Sequence, residues 1–444
     1  MTSDLKVLQV IPKLGYGGAE TGCYDIAHYL AEKQCGSFIA TSGGELLRFI
    51  KKEKVKIFRL PVHSKNPILI IFNTLALSLF IIFFKINIVH ARSRAPAWSC
   101  YLACLLTNRA FVTTFHGTYN FKSKFKKFYN SVMLRAKLTI AGSNFIFSHI
   151  NENYSEYLKK EKKLRVIFRG INVDYYNQKN ISILKQEKLK QEWDIKSNNF
   201  IILMPGRLTY WKGQEKFIES LNILIEDYNY TNFQAIMLGS DQGRTVYKKK
   251  LINLVERYSL NKKIKFINHC KEMPLAYSLA DIVVSASIEP EAFGRVSVEA
   301  QSMGKPIIAS DIGGSKETIL NKKSGFLYKF DDPRELAKSL NTVIQLTEEE
   351  LKKFNFKKGD TEGVVNYALA IKGIIFAVFI AEKEGVVKLS LRSKGDFKVN
   401  KIAKQYFSGG GHMNASGGIS ELSVNKTIEK VISIFKENKK NLTK

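Results

Sequence analysis

Glu291 and Glu299 stand eight residues apart in EPEAFGRVSVEAQSMGKPIIAS, Glu289 to Ser310. Phe293 and Gly294 mark the turn that opens a helical pattern, and an apolar strand pattern closes the stretch at Lys305–Ser310. A helix start offers unpaired N–H groups and the positive end of the macrodipole, which suits a phosphate. A carboxylate on the second turn can accept hydrogen bonds from a ribose diol, as acidic residues do in other nucleotide sites. The spacing points to a nucleotide-sugar site. The plainer alternative is two solvated glutamates on an amphipathic helix.

Three other groups could share that chemistry. Gly206 and Arg207 follow an apolar strand pattern, and Lys212-Gly213 come soon after. One arginine and one lysine delivered at a strand end make a clamp for a diphosphate; solvated surface charge is the alternative. His116-Gly117 ends another strand pattern in TTFHGTY, where a parallel sheet presents active-site groups. A lone histidine there serves either structure or catalysis. Near the N-terminus Gly15-Tyr16-Gly17-Gly18-Ala19-Glu20 joins a strand pattern to a helix. It reads as a tight turn or as a close backbone approach to a phosphate.

These residues need elements to hold them. Short apolar runs at Leu5–Ile11, Phe38–Thr41, Lys56–Val62, Ile86–Ala91, Phe111–Phe115 and Leu138–Ala141 alternate with helical stretches. A second set begins at Phe200–Met204 and continues through Gln234–Leu238, Ile264–Ile267, Ile282–Ser285 and Pro306–Ala309. Between them, Arg169–Asn199 reads as a connection with one polar helix. Alternation of this kind predicts parallel, doubly wound sheets, with ligands at the carboxyl ends of the strands. Glu348–Lys358 is strongly charged and reads as a junction. Beyond it come a helix at Glu362–Ile371, strand-like runs at Ile374–Ile380 and Val386–Ser393, a helix, a Gly-rich loop at Gly409–Gly411 and a last helix from Val424.

The 444 residues carry 69 Lys and Arg against 40 Asp and Glu, a net charge of +29. That charge attracts anions such as nucleotide diphosphates, anionic lipid headgroups or nucleic acid, unless it only reflects a lysine-rich coding bias. Five scattered cysteines without a C-x-x-C pair predict neither a disulfide framework nor a zinc site, and fit a reducing cytoplasm. Cys100 and Cys104 fit a helix's apolar face. The N-terminus shows no signal-peptide pattern. PILIIFNTLALSLFIIFF, Pro67 to Phe84, is uncharged and near the minimum for a membrane span, but Asn73, Thr74 and Ser78 dilute it. It is expected to be a helix packed in a domain or partly dipped into a membrane face.

Together, GGAE near the start, His116-Gly117, GRLTYWKG at 206–213 and the Glu289–Ser310 stretch resemble glycosyltransferase family 4, the retaining GT-B enzymes, over about residues 1–350. The resemblance implies an α/β fold of two Rossmann-like domains, 1–170 and 171–352, with an interdomain cleft. It implies transfer of a sugar from a nucleotide-sugar donor to a lipid-linked, polysaccharide or other acceptor with retention of configuration. Carried over residue by residue, Gly17 and Gly18 would face the donor phosphates or the acceptor, and His116 would lie by the transferred sugar. Arg207 and Lys212 would hold the diphosphate beside Gly206. Glu291 would contact the sugar hydroxyls, with Phe293 and Gly294 at the donor, and Glu299 would hold the ribose. No cofactor or metal is expected beyond the nucleotide sugar as co-substrate. No Asp-x-Asp pair, the metal site of the other common glycosyltransferase fold, is present.

Residues 353–444 resemble the DHH-associated domain of DHH-family phosphoesterases, a small α/β domain. The resemblance rests on Gly359-Asp360-Thr361-Glu362-Gly363, Leu391-Arg392-Ser393, Gly409-Gly410-Gly411-His412 and Asn414-Ala415-Ser416-Gly417-Gly418. Arg392, the three glycines and His412 are candidates for a nucleotide phosphate or a short nucleic-acid end; a structural turn is the alternative. The chain has no Asp-His-His run, so no phosphoesterase activity is expected. A nucleic-acid-binding module attached to an inactive transferase remnant is the rival reading. The expected location is the cytoplasm, either free or peripheral at the inner membrane face.

Overall fold

A computed structural model describes residues 4–119, 121, 123–158, 164–196, 199–346, 375–383 and 386–437. The helix expected at Glu362–Ile371, the charged junction after Leu346 and the Gly359–Gly363 motif lie outside them. The chain divides into two compact units, Met1–Asn355 and Phe356–Lys444.

The first unit holds two wholly parallel sheets. One is ordered β3-β2-β1-β4-β5-β6-β7 from β1 (Lys6–Val10), β2 (Gly36–Thr41), β3 (Val55–Arg59), β4 (Ile88–Ala91), β5 (Ala110–Phe115), β6 (Leu138–Ala141) and β7 (Leu164–Val166). The other is ordered β10-β9-β8-β11-β12-β13 from β8 (Phe200–Pro205), β9 (Phe233–Leu238), β10 (Ile264–Ile267), β11 (Ile282–Ser285), β12 (Ile307–Ser310) and β13 (Phe326–Tyr328). Each order reverses direction beside its first strand, between β1 and β4 and between β8 and β11. That is the switch point where open α/β sheets bind ligands. Strands covered on both faces read as continuous apolar runs: every residue of β9, β11 and β12 is buried.

The helices of this unit are α1 (Gly18–Glu32), α2 (Pro67–Phe83), α3 (Arg94–Thr107), α4 (Lys124–Ser131), α5 (Asn144–Tyr154), α6 (Ile183–Glu192), α7 (Gln214–Glu226), α8 (Thr245–Arg257), α9 (Met273–Leu279), α10 (Arg295–Ser302), α11 (Ser315–Thr318) and α12 (Pro333–Ile344). Local chemistry starts them. Asp332 accepts from the amides of Arg334 and Glu335 ahead of α12, and Pro333 takes the first turn, where no amide is needed. Asn66 and Ser143 likewise accept from Ile68 and Ile146 to start α2 and α5. Cys100 and Cys104 sit buried in α3, and all five cysteines are free thiols. Among the described residues no helix is long and apolar enough to cross a membrane.

The second unit contains an antiparallel sheet ordered β14-β15-β17-β16, from β14 (Phe376–Lys383), β15 (Val386–Ser393), β16 (Gly410–His412) and β17 (Ala415–Ser420). Helices α13 (Val399–Tyr406) and α14 (Val424–Glu437) accompany it. Leu389, Leu391, Ile402, Phe407, Val431 and Ile434 form its core.

Four strands differ from the sequence reading: β7, β13, β16 and β17. β7 and β13 are three-residue strands, too short to show a period. The Gly409–Gly411 segment, expected as a loop, mostly forms β16, paired to β17. The Ala, Ser and Gly of that hairpin carry no apolar alternation to mark them as strands.

Candidate functional site

β8 and β11 are neighbours, and the loops leaving them bring two of the expected residues together. A short 3₁₀ turn, Tyr210–Lys212, carries Lys212 across to the loop after β11. Its Nζ donates to Glu291 Oε1 at 2.7 Å, and both side chains are largely buried. Gly213 makes that crossing possible. It holds φ +73°, and a Cβ there would lie 1.8 Å from the Ala286 carbonyl oxygen. Ser287 Oγ donates to the same Glu291 oxygen at 2.5 Å and Ser285 Oγ at 3.4 Å. Burial alone would raise the Glu291 carboxyl, but the Lys212 charge and the hydrogen bonds from Lys212, Ser287 and Ser285 outweigh it. They hold the group below its ordinary range. Among the described residues Glu291 Oε2 accepts no hydrogen bond, so one oxygen is fixed while the other stays open to a hydroxyl donor.

Arg207 follows β8 directly. The residue is half-buried, and its side chain makes no ion pair or hydrogen bond among the described residues. Gly206 lies behind it, next to the Lys212 methylenes. Gly294 caps α10 in a left-handed conformation (φ +83°, ψ 53°), and Phe293 beside it is buried. Glu299, one turn into α10, is buried with both oxygens engaged. Arg295 Nε donates to Oε1 at 2.5 Å and Tyr277 Oη to Oε2 at 2.8 Å.

On the other sheet, Gly17 is the N-cap of α1, and Gly18 begins that helix; its carbonyl accepts from Arg169 Nη2. His116 lies at the end of β5 with both ring nitrogens buried and unpartnered. Burial, followed by the Arg92 and Arg169 charges, keeps its imidazole well below the usual range, so the ring is neutral near pH 7. Arg92 is 3% exposed and donates to Gln9 Oε1 at 3.1 Å. Arg92 and Arg169 converge over Gly22, where a Cβ would sit 3.0 Å from Nη2 of each. Burial, with Arg92 and Arg295 adding to it, lowers Arg169 to about 10.

The two sheets meet through polar contacts. Arg295 also reaches Asp25 Oδ2 of α1 at 3.8 Å. Ser143 Oγ donates to the Ala292 carbonyl at 2.5 Å. Glu317 caps α5 from across the cleft: Oε2 accepts from the Asn144 amide at 2.8 Å and Oε1 from the Phe145 amide at 2.5 Å. Neither Glu317 nor the arginine group stood out in the sequence. Only Arg295 left a mark there, at i−4 from Glu299, the spacing at which helix charges pair. Glu317→Ala should cost about 1 kcal/mol, the value of a helix cap, and speed hydrogen exchange at the Asn144 and Phe145 amides. Unchanged protection at both would show that the cap does not hold the halves together.

In the second unit, Arg392 Nη1 donates to the Leu391 carbonyl at 3.0 Å, and His412 is exposed on β16. A Cβ on Gly409 would lie 2.0 Å from the Gly417 carbonyl oxygen, so that glycine packs the hairpin. Gly411 approaches the Ala415 carbonyl similarly, while Gly410 faces open space. Among the described residues no group of three or more His, Cys, Asp or Glu is placed to hold a metal ion.

Comparison with known proteins follows the same division. Residues 16–175 match the family model Glycosyltransferase Family 4, residues 185–357 match Glycosyl transferases group 1, and residues 341–438 match the DHHA1 domain. A glycosyltransferase of known structure from Rickettsia africae ESF-5 is 38% identical, with TM-score 0.70, over 79% of this chain and 91% of that one. Anabaena Alr3699/HepE, solved in complex with UDP and glucose, shares the fold at TM-score 0.67 and 24% identity, over 79% of this chain and 93% of its own. Among curated proteins, Spore coat protein SA of Bacillus subtilis (strain 168) is 24% identical over 62% of this chain and 74% of its own length. D-inositol 3-phosphate glycosyltransferase of Corynebacterium glutamicum (strain R) is 27% identical over 41% of this chain, which spans 43% of that relative.

Proposed function

Because this chain belongs to glycosyltransferase family 4 and carries a DHHA1 domain, we propose that it transfers a sugar from a nucleotide-sugar donor to a lipid-linked or saccharide acceptor with retention of configuration. The observation that carries this reading is the Lys212–Glu291 pair, 2.7 Å apart beside Arg207 at the carboxyl ends of β8 and β11. In this reading Arg207 and Lys212 face the diphosphate, and the open Glu291 oxygen accepts from a hydroxyl of the sugar. Glu299 shares its carboxylate with the ribose. Gly17, Gly18 and His116 line the acceptor half. The bond from the anomeric carbon to the diphosphate oxygen breaks, and the bond to the acceptor oxygen forms on the same face. The acceptor's proton passes to the departing diphosphate. The two cations and the α10 start stabilise charge where it develops.

The neutral His116 ring, with two unpaired nitrogens, suits hydrogen bonding to a sugar hydroxyl better than ion pairing. The DHHA1 domain has no part in the chemistry and no phosphoesterase activity of its own. Its exposed His412 and half-buried Arg392 are the candidates for holding a short nucleic acid, a subsidiary reading. The enzyme works in the cytoplasm at the inner face of a membrane.

The direct test is thermal unfolding with and without UDP and UDP-glucose, the ligand class of the Anabaena structures. Saturating ligand should stabilise the first unit by about 2–3 kcal/mol, a rise of several degrees in its midpoint. No rise with any nucleoside diphosphate, and no donor turnover, would refute the reading.

A further inference from the structure

Helix α2 is apolar on both its faces. Its inward face mixes the core residues Leu77 and Ile81 with buried polar side chains. Asn73 Nδ2 donates to the Pro61 carbonyl at 3.1 Å, Thr74 Oγ1 to the Ile70 carbonyl at 2.8 Å and Ser78 Oγ to the Thr74 carbonyl at 2.8 Å. Its other face is apolar too and turns outward. Ile68, Ile71, Leu75, Leu79, Ile82 and Phe83 recur at helical spacing and are 56–78% exposed. A single exposed leucine means little, but a continuous apolar stripe along a whole helix marks an interaction surface.

The neighbouring helices extend it. Ser99 Oγ of α3 donates to the Ile70 carbonyl of α2 at 3.2 Å. Trp98 of α3 packs on Phe128 of α4, with ring centroids 5.6 Å apart. Leu105, Leu106 and Phe125 on these helices are also exposed. The charge around this face is predominantly positive, with Glu156 paired to Lys127 of α4 at 3.0 Å. Between Glu53 and Glu152 the sequence has no Asp or Glu and 14 Lys or Arg. Exposed Lys65, Lys85, Arg109, Lys124 and Lys126 stand there.

We propose that the α2–α3–α4 face docks on an anionic lipid bilayer, with the α2 stripe entering the headgroup–acyl boundary and the lysines meeting lipid phosphates. Charge selects this occupant. A second copy would bring the same predominantly cationic segment against its own, whereas an anionic surface neutralises it. The stripe supplies the apolar area that holds an in-plane helix. α4 begins eight residues after His116 in the sequence. The inference deepens the proposed transfer to a lipid-linked acceptor and rests on that reading for its purpose.

Co-sedimentation of the full chain with vesicles tests it. Binding to phosphatidylglycerol vesicles is expected, weaker binding to phosphatidylcholine, and a loss as salt rises. The double variant Leu75→Gln, Leu79→Gln should bind phosphatidylglycerol vesicles roughly 100-fold more weakly, as removal of two inserted leucines implies. Lys124→Ala and Lys126→Ala should each weaken binding about fivefold, and chiefly at low salt. UDP-induced thermal stabilisation reads the cleft independently: retained in the leucine variant, it shows that the fold is intact. If it is absent from the parent while vesicle binding persists, the transferase reading fails and the docking face stands. Failure of the parent to bind, or undiminished binding by the leucine variant, would overturn the proposal. So would a dimer, seen by light scattering, that the leucine substitutions dissolve.

Discussion

Arg207→Ala and Lys212→Ala should each slow sugar transfer about 100-fold or more, the loss seen when one preorganised donor to a developing anion is removed. The two variants should then part company in stability. Arg207 has no ion-pair partner among the described residues, so its loss should leave the unfolding midpoint almost unchanged. Lys212 is the counter-ion of a carboxylate whose side chain is only 12% exposed. Its removal leaves Glu291 buried without a charge partner, at a cost of about 3–5 kcal/mol for a fully buried pair and less here, because both groups keep some solvent. A second change, Glu291→Gln in the Lys212→Ala background, should recover part of that stability without recovering turnover. Single-turnover rates and denaturant midpoints on the same four proteins decide the matter. Near-normal rates in both single variants would remove the diphosphate clamp from the mechanism.

Gly213→Ala should be the most destabilising single methyl in the first unit, at about 3–5 kcal/mol. A left-handed backbone costs a residue with a Cβ roughly 1–2 kcal/mol. The remainder is steric: the new carbon would lie 1.8 Å from the Ala286 carbonyl oxygen, and neither backbone segment can yield without moving β11 or the Lys212 turn. Donor binding should weaken with it, because that turn carries Lys212. Gly410→Ala is the control, since nothing lies within 4 Å of the added carbon; its effect should stay within about 0.5 kcal/mol. Equal midpoints for the two variants would show that the turn relaxes.

Most of both parallel sheets was legible because buried parallel strands are written as unbroken apolar runs. Ile282–Ser285 and Leu138–Ala141 have the ends expected for them. What escaped notice was either very short or long-range. β13 has three residues. The β16–β17 hairpin is written in glycine, alanine and serine, and its pairing depends on close backbone approach that no period reveals. The site divides in the same way. Glu291 and Lys212 were legible as candidates, because each follows a strand pattern. Their pairing with each other was not, since it depends on which strands become neighbours across 79 residues of chain. Arg92, Arg169 and Glu317 gave no local sign. An arginine after a strand or a glutamate in a four-residue helix is unremarkable until the fold places a partner opposite it. The Pro67–Phe84 stretch shows the converse: its composition was plain, but which side of the helix faced outward was not.

Arg295 gives the halves of the first unit a shared counter-ion. It binds Glu299 tightly, at 2.5 Å, and reaches Asp25 loosely, at 3.8 Å. If Glu299 holds the donor's ribose as proposed, a diol that competes for it would release part of the guanidinium toward Asp25, and a change at one sheet would be felt at the other.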